Sequence, residues 1–340
     1  MPVYKIKFAI KSIVAYLAYY SGILLILKYF KLRNRNLVLM YHRVMPTEES
    51  SRSYSNPAII VSESLFDQHL SILKKHFNVV NISQYLNNKQ TDDGKPKCLI
   101  TFDDGWQDNY RYALPLLQKH RLPALIFLPV DYIDADNLFW QERMARAISE
   151  LLLRSDDDAL NLASKHQLDA LKNSHREIMK QSILRHVNTM KSRPYTDIDA
   201  LYREIIDCLG RQPDFDVDRY LTWDQVKEMG QQNIFFGSHA CSHRILPRLT
   251  TEEVEKELST SFDQIESHLS EAPLTIAYPN GDSSPTIQQQ AKARDYQAGF
   301  GTRPGHNIPG EDMFDLRRIN INTQKTLNKP LFFMCILGLI

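Results

Sequence analysis

Two short segments carry the residues able to do chemistry. In the first, Thr101, Phe102, Asp103, Asp104 and Gly105 place two adjacent carboxylates at the end of an apolar run that begins at Cys98. In the second, Gly237, Ser238, His239, Ala240, Cys241, Ser242 and His243 place two imidazoles four positions apart, just after Ile234, Phe235 and Phe236. Two histidines and one carboxylate are a common ligand set for a catalytic divalent ion, with positions left for water and substrate. The remaining carboxylate is then available to accept a proton, and the combination describes metal-assisted hydrolysis. Each segment alone has an ordinary explanation. Two aspartates before a glycine often form a turn with a helix cap, and two histidines at this spacing often lie on a solvated helix face. Together, each ending an apolar strand, they point to one site. A metalloprotease pair with glutamate after its first histidine is excluded, because position 240 is alanine.

The elements that must position these groups follow from periodicity. Apolar runs at 37–40, 98–102, 124–128, 234–238, 275–277, 298–302 and 319–321 read as short strands. Helical spacing occupies 64–76, 82–86, 110–120 (with Pro115 as a kink), 223–229, 251–269 and 287–295. Thr222 opens one of these helices and Thr250 or Thr251, with Glu253 nearby, another. Residues 45–60 read as a loop. Strand followed by helix, repeated six or seven times, implies a mainly parallel sheet or barrel, with catalytic groups at the strand C-terminal ends. The candidate residues obey that rule: His42 follows the first strand, Asp103 and Asp104 a second, His239 a third, and Tyr278 to Gly281 a fourth. The polar helical stretch 132–222, with its acidic run Asp156, Asp157 and Asp158, interrupts the alternation and reads as an insertion, either a lid or binding wall or a partner surface.

On these motifs the chain resembles the polysaccharide deacetylases, the NodB-homology or carbohydrate esterase family 4 group. Thr101 to Gly105 matches the group's first motif and His239 to His243 its second. Ile276 to Gly281 resembles a variant of the third, Leu316 to Ile321 a C-terminal segment, and Tyr41 to Val44 the first-strand segment of the envelope-biosynthesis branch. The resemblance implies Asp104, His239 and His243 as ligands of a divalent metal, Zn²⁺ foremost, Asp103 as general base, and the amide of Asn280 as an oxyanion donor. It also exposes departures. Ala277 stands where relatives carry an arginine that orients the base, and Asn280 where they carry an aromatic. Arg318 is the candidate replacement for that arginine. The usual late histidine motif is absent, which leaves His306 and His42 as candidates for the acid. Trp106 and Tyr278 are candidates for stacking on a sugar face.

Composition bounds the rest. The chain has 340 residues, 43% hydrophobic and 24% charged, with a net charge of +1, so no general pull toward nucleic acid follows. Cys98, Cys208, Cys241 and Cys335 are scattered and do not form a disulfide framework. From Ser12 to Leu27 there is no charge; Lys5, Lys7 and Lys11 precede the run, and Lys28, Lys31, Arg33 and Arg35 follow it. It is short for a spanning helix and has no small-residue cleavage site, but its tyrosines and basic flanks suit a helix over 8–30 lying in an anionic membrane surface.

The expected fold is therefore a distorted (β/α)7-type barrel of the NodB-homology kind (37–131 and 223–325), with the helical insertion 132–222, an N-terminal membrane-associating helix (1–36) and an apolar C-terminal tail (326–340). The expected function is metal-dependent removal of N-acetyl groups from an envelope or exported polysaccharide or its lipid-linked precursor, at the cytoplasmic face of the inner membrane. An O-acetyl esterase and a non-catalytic glycan-binding scaffold with a decayed site are the alternatives.

Overall fold

The computed structural model describes residues 3–87, 94–215 and 217–340. The strands are β1 (Leu37–Tyr41), β2 (Arg43–Met45), β3 (Ile60–Ser62), β4 (Asn78–Val79), β5 (Lys97–Phe102), β6 (Ala124–Leu128), β7 (Ile234–Ser238), β8 (Thr275–Ala277), β9 (Ala298–Phe300) and β10 (Ile319–Asn320). The helices are α1 (Val3–Tyr20), α2 (Ile23–Leu32), α3 (Thr47–Arg52), α4 (Glu63–His76), α5 (Ile82–Leu86), α6 (Leu114–His120), α7 (Trp140–Leu153), α8 (Asp157–Lys165), α9 (Arg176–Thr189), α10 (Tyr195–Leu209), α11 (Trp223–Gly230), α12 (Thr251–Leu269), α13 (Pro285–Ala293) and α14 (Lys329–Ile336).

Every named strand pair is parallel, in the order β10-β1-β5-β6-β7-β8-β9. The two ends of the sheet approach through an isolated bridge between Phe300 and Leu316, three residues before β10, so the sheet curls into a distorted barrel. Alternation along the strands sorts side chains to two faces. Val38, Leu99, Leu125, Phe127, Ala277, Ala298 and Phe300 pack together on the inside. Leu39, Tyr41, Ile100, Phe102, Ile126 and Leu128 face out, against Leu70, Leu117, Val226 and Ile265 of the surrounding helices. Continuing the inner parity by one step past each strand brings in His42, Asp103 and His239.

The chain packs into two compact units, one of residues 1–50, 57–135 and 220–340, the other of residues 51–56 and 136–219. The second unit is helical, its core formed by Met144, Ile148, Leu152, Ile183, Val187, Ile198 and Ile205. The short segment 51–56 belongs to it because Ser53 donates to Asp218 (2.7 Å) and Ser55 to Glu142 (3.0 Å). Residues 132–135 and 220–222 stay with the barrel: the Leu221 amide donates to the Gly105 carbonyl (2.8 Å) and the Asp134 amide to the Leu221 carbonyl (3.1 Å).

Four local features depart from the sequence expectation. The 45–60 loop contains α3 and leads into β3, which pairs in parallel with β2 as a separate two-stranded sheet. The helix expected over 110–120 is continuous into α6, and its irregularity falls just before Pro115 rather than at it, in a widened turn over Asn109–Ala113 where the Leu114 amide donates to the Asn109 carbonyl. The apolar C-terminal tail forms α14, whose Leu331, Phe332, Phe333 and Ile336 are buried. The apolar N-terminal run is two helices rather than one. Gly22 adopts a left-handed conformation (φ 81°), and the pair bends by 85° there. No single described helix is long and apolar enough to cross a membrane.

Candidate metal centre

The parallel register sets where each group leaves the sheet. Tyr41 pairs with Phe102, so His42 and Asp103 emerge side by side, while Phe102 is level with Phe236 through Ile126, so His239 emerges two residues further along its strand. The Asp103 amide donates to the Tyr41 carbonyl (3.0 Å) and the His239 amide to the Leu128 carbonyl (2.9 Å), extending the strand ladders by one residue each. Asp104 then turns into a left-handed conformation (φ 74°) and His243 into another (φ 56°). Such backbone is uncommon for residues with side chains and is concentrated at functional sites.

Asp104, His239 and His243 each offer a ligand atom, all within 4.8 Å of one another. His239 Nε2 lies 3.4 Å and His243 Nε2 3.3 Å from the same carboxylate oxygen, Asp104 Oδ1. Tetrahedral bonds of about 2.0–2.1 Å would separate donor atoms by about 3.3–3.4 Å, so both spacings suit one shared cation. The ring chemistry agrees. His239 Nδ1–H donates to the Ala277 carbonyl (2.7 Å), which fixes the tautomer and leaves the Nε2 lone pair facing the cluster. Asp104 Oδ2 accepts from Trp106 Nε1–H (3.1 Å), leaving Oδ1 for the histidine side.

Asp103 is held separately. Arg318 forks onto it, one guanidinium nitrogen 2.6 Å from Oδ1 and the other 2.8 Å from Oδ2, while its Nε–H donates to the Gly301 carbonyl (2.8 Å). Both side chains are buried. Burial pushes the Asp103 carboxyl up, but the charges of Arg318, His239 and His42 outweigh it and hold it below the usual carboxylate range. Burial likewise opposes ionisation of Asp104, and the adjacent His239 and His243 rings overcome it, holding that carboxyl well below its ordinary value. His42 Nε2 lies 3.9 Å from Asp103 Oδ2, and its Nδ1 is buried without a hydrogen-bond partner among the described residues.

The remaining candidates fall elsewhere. Trp106 is fully buried, stacked between the Arg43 guanidinium (4.0 Å to the ring centre) and the Tyr220 ring (4.6 Å), so it has no face for a sugar. Tyr278 is also fully buried. Its hydroxyl donates to the Phe314 carbonyl (3.1 Å), and it lies so close to Gly299 that a Cβ there would come 2.2 Å from the phenolic oxygen. His306 lies at the opposite, N-terminal ends of the strands. Its Nε2–H donates to the Ile336 carbonyl (2.8 Å), and the neighbouring Asn307 pairs with Asn36 just before β1. Asn280 follows β8 in a left-handed conformation (φ 60°), and its amide makes no hydrogen bond among the described residues.

Three supporting residues escaped the sequence reading. Arg43 is buried over the Trp106 ring, and its Nε–H donates to Asp108 (2.8 Å). Glu257, on α12, accepts from the loop joining the two histidines. The available signal was a buried charge at a strand end for Arg43 and an acidic residue on the apolar side of an amphipathic helix for Glu257. Asp108 had no signal beyond its place three residues after Gly105.

The family described as polysaccharide deacetylase matches residues 90–299, more than half of the chain. YxkH of Bacillus subtilis, named for the same family, is 23% identical over 288 residues, covering 84% of this chain and 71% of the relative. The poly-beta-1,6-N-acetyl-D-glucosamine N-deacetylase of Staphylococcus aureus is 26% identical over 123 residues, covering 36% of this chain and 41% of the relative. This chain thus aligns with about two fifths of that enzyme. Among solved structures, the deacetylase PplD of Streptococcus pyogenes, in complex with acetate, has a TM-score of 0.56 at 21% identity, over 89% of this chain and 98% of that one. IcaB of Ammonifex degensii has a TM-score of 0.56 at 17% identity, over 90% and 97% of the respective chains. At these identities the two structures establish the fold. The match over 90–299 goes further: the chain belongs to the polysaccharide deacetylase family, hydrolases that act on the N-acetyl amide bonds of sugars.

Proposed function

We propose that this protein removes N-acetyl groups from an N-acetylated polysaccharide or its lipid-linked precursor, in a metal-dependent reaction. The observation that carries the reading is an Asp-His-His donor set beside a carboxylate gripped by an arginine fork. Asp104, His239 and His243 would hold the ion, Zn²⁺ by the donor types. When bound, such an ion supplies Lewis-acid polarisation of an acyl oxygen and makes water more acidic. Asp103, kept ionised and oriented by Arg318, accepts a proton from water as the water oxygen bonds to the acetyl carbon. The Asn280 amide is the donor offered to the oxygen that gains charge. As the carbon–nitrogen bond breaks, the amine leaves with a proton from His42, and acetate is the second product. The Staphylococcus aureus relative supports a polymer of N-acetylglucosamine as the substrate class.

The test is acetate release from N-acetylglucosamine oligomers and from an O-acetylated glycan, with and without chelator. Chelator-sensitive release from the N-acetyl substrate is expected. Release only from the O-acetyl ester would identify an esterase, and no release from either a binding protein. Asp103→Asn should retain the metal and lose about 10²–10⁴-fold in turnover; unchanged turnover would reject Asp103 as the base.

We infer further that the enzyme works on an anionic membrane leaflet, such as the cytoplasmic face of the inner membrane. Ala15, Leu24 and Leu32 are buried, whereas Leu17, Tyr20 and Phe30 are 69%, 73% and 69% exposed on the same two helices. No acidic residue precedes Glu48, while Lys11, Lys28, Lys31, Arg33 and Arg35 flank the apolar surface. One face docked on the protein, one apolar face outward and a basic rim suit a bent helix pair lying in one leaflet. Co-sedimentation with anionic vesicles should fall with added salt and be abolished by Leu17→Glu with Phe30→Glu. Equal sedimentation of that variant, or none by the wild type, would overturn the inference.

A further inference from the structure

The two histidine donors are joined by a loop rather than a helix, and the loop keeps an uncommon shape. Ala240 (φ 61°) and His243 (φ 56°) are both left-handed, a conformation that costs a side-chain-bearing residue about 1–2 kcal/mol. Something outside the loop must hold it there. Part of the hold comes from the segment after β6, where the Val130 amide donates to the Ala240 carbonyl (3.3 Å) and the Asp131 amide to the Cys241 carbonyl (3.2 Å). The Ala240 amide donates to Ser238 Oγ (3.0 Å). Three further donors converge on one side chain. Glu257 Oε2 accepts from the Cys241 amide (2.8 Å) and the Ser242 amide (2.9 Å), and Oε1 accepts from the Ser242 hydroxyl. Glu257 is buried, and the Cys241 thiol reaches back to its carbonyl (3.3 Å).

We propose that Glu257 is a positioning residue of the metal centre, a clamp on the loop that sets where His239 and His243 stand relative to each other. The inference rests on the metal reading above. An ionised carboxylate is an acceptor at every lone pair, so it can take two amides and a hydroxyl at once. A glutamine would turn an NH₂ toward one of those donors, and an alanine would leave all three without a partner. Either change lets the loop relax, and the His243 donor moves with it. Groups that orient metal ligands typically contribute 10–100-fold in affinity.

The experiment titrates Zn²⁺ against a chromogenic chelator for the wild type, Glu257→Gln, Glu257→Ala and Ser242→Ala, with thermal melts of the metal-free chains. Thr250→Ala, at the N-cap of the same helix and seven positions before Glu257, controls for general loosening of α12. The expected result is Zn²⁺ affinity weakened about 10–100-fold in Glu257→Gln, at least as much in Glu257→Ala and less in Ser242→Ala, with Thr250→Ala matching the wild type. If Glu257→Ala does not fold, Glu257→Gln and Ser242→Ala decide. Wild-type affinity, within twofold, in folded Glu257→Gln and Ser242→Ala would overturn the clamp alone. A wild-type chain that binds no Zn²⁺ would overturn the metal reading and the clamp with it.

Discussion

At the scale of single residues, the Arg318–Asp103 pair separates two effects that a sequence merges. Asp103 and Asp104 are neighbours, yet one faces an arginine fork and the other two imidazoles. Removing the fork strands a buried carboxylate. Arg318→Ala should therefore cost about 3–5 kcal/mol of stability and reduce kcat/KM, while Zn²⁺ affinity stays near wild type. Arg318→Lys keeps the charge but not the bidentate geometry and should fall between the two; denaturant melts and chelator titration check both. Asp103, Asp104, His239 and His243 were legible because each motif is contiguous and ends an apolar run. Arg318 was legible only through a resemblance, since its partner is more than two hundred positions away. Trp106 and Tyr278 were misread because a lone aromatic carries no information about whether its face is covered. Nor could spacing reveal that His306 lies at the wrong end of the strands.

At the scale of elements, strand parity does the positioning. Leu99 and Thr101 on β5 lead to Asp103, and Phe235 and Gly237 on β7 lead to His239, so one alternation rule delivers both side chains to the same interior. That alternation is legible in the amino-acid order alone, and so are the strands it acts on. The break at Gly22 was not, because an uncharged run advertises apolarity rather than backbone conformation. The β2–β3 pair was also missed, each strand being three residues long. Helix α12 spans 19 residues behind a complete capping box of Thr250 and Glu253. Loss of that cap in Thr250→Ala should lower stability by about 1 kcal/mol without weakening Zn²⁺ binding, as a melt and a titration in parallel would register.

At the scale of the whole molecule, stability couples to pH through a histidine remote from the chemistry. His69, on α4, is buried flat against the Phe332 ring of α14, with ring centres 3.9 Å apart, and its Nδ1 lies 3.3 Å from the Tyr41 hydroxyl of β1. Burial pulls its pKa down to about 3. The folded chain therefore holds it neutral while the unfolded chain protonates it near its ordinary value of about 6.5. Its contribution is complete above about pH 6.5 and is lost progressively as pH falls toward 3. Melting temperature should decline over that window, and His69→Phe should make the decline shallower; an unchanged slope would remove His69 from the account. The apolar C-terminal segment gave notice of a hydrophobic tail, but only the folded chain reveals it as the lid over this histidine.

The placement of Trp106 has a spectroscopic consequence. Its indole nitrogen touches Asp104, so loading the neighbouring donors with a paramagnetic ion such as Co²⁺ should quench its fluorescence directly. The other two tryptophans are Trp140, on α7 in the helical unit, and Trp223, which packs on the His268 ring. A cation bound by Asp104, His239 and His243 would thus report itself in the emission of Trp106.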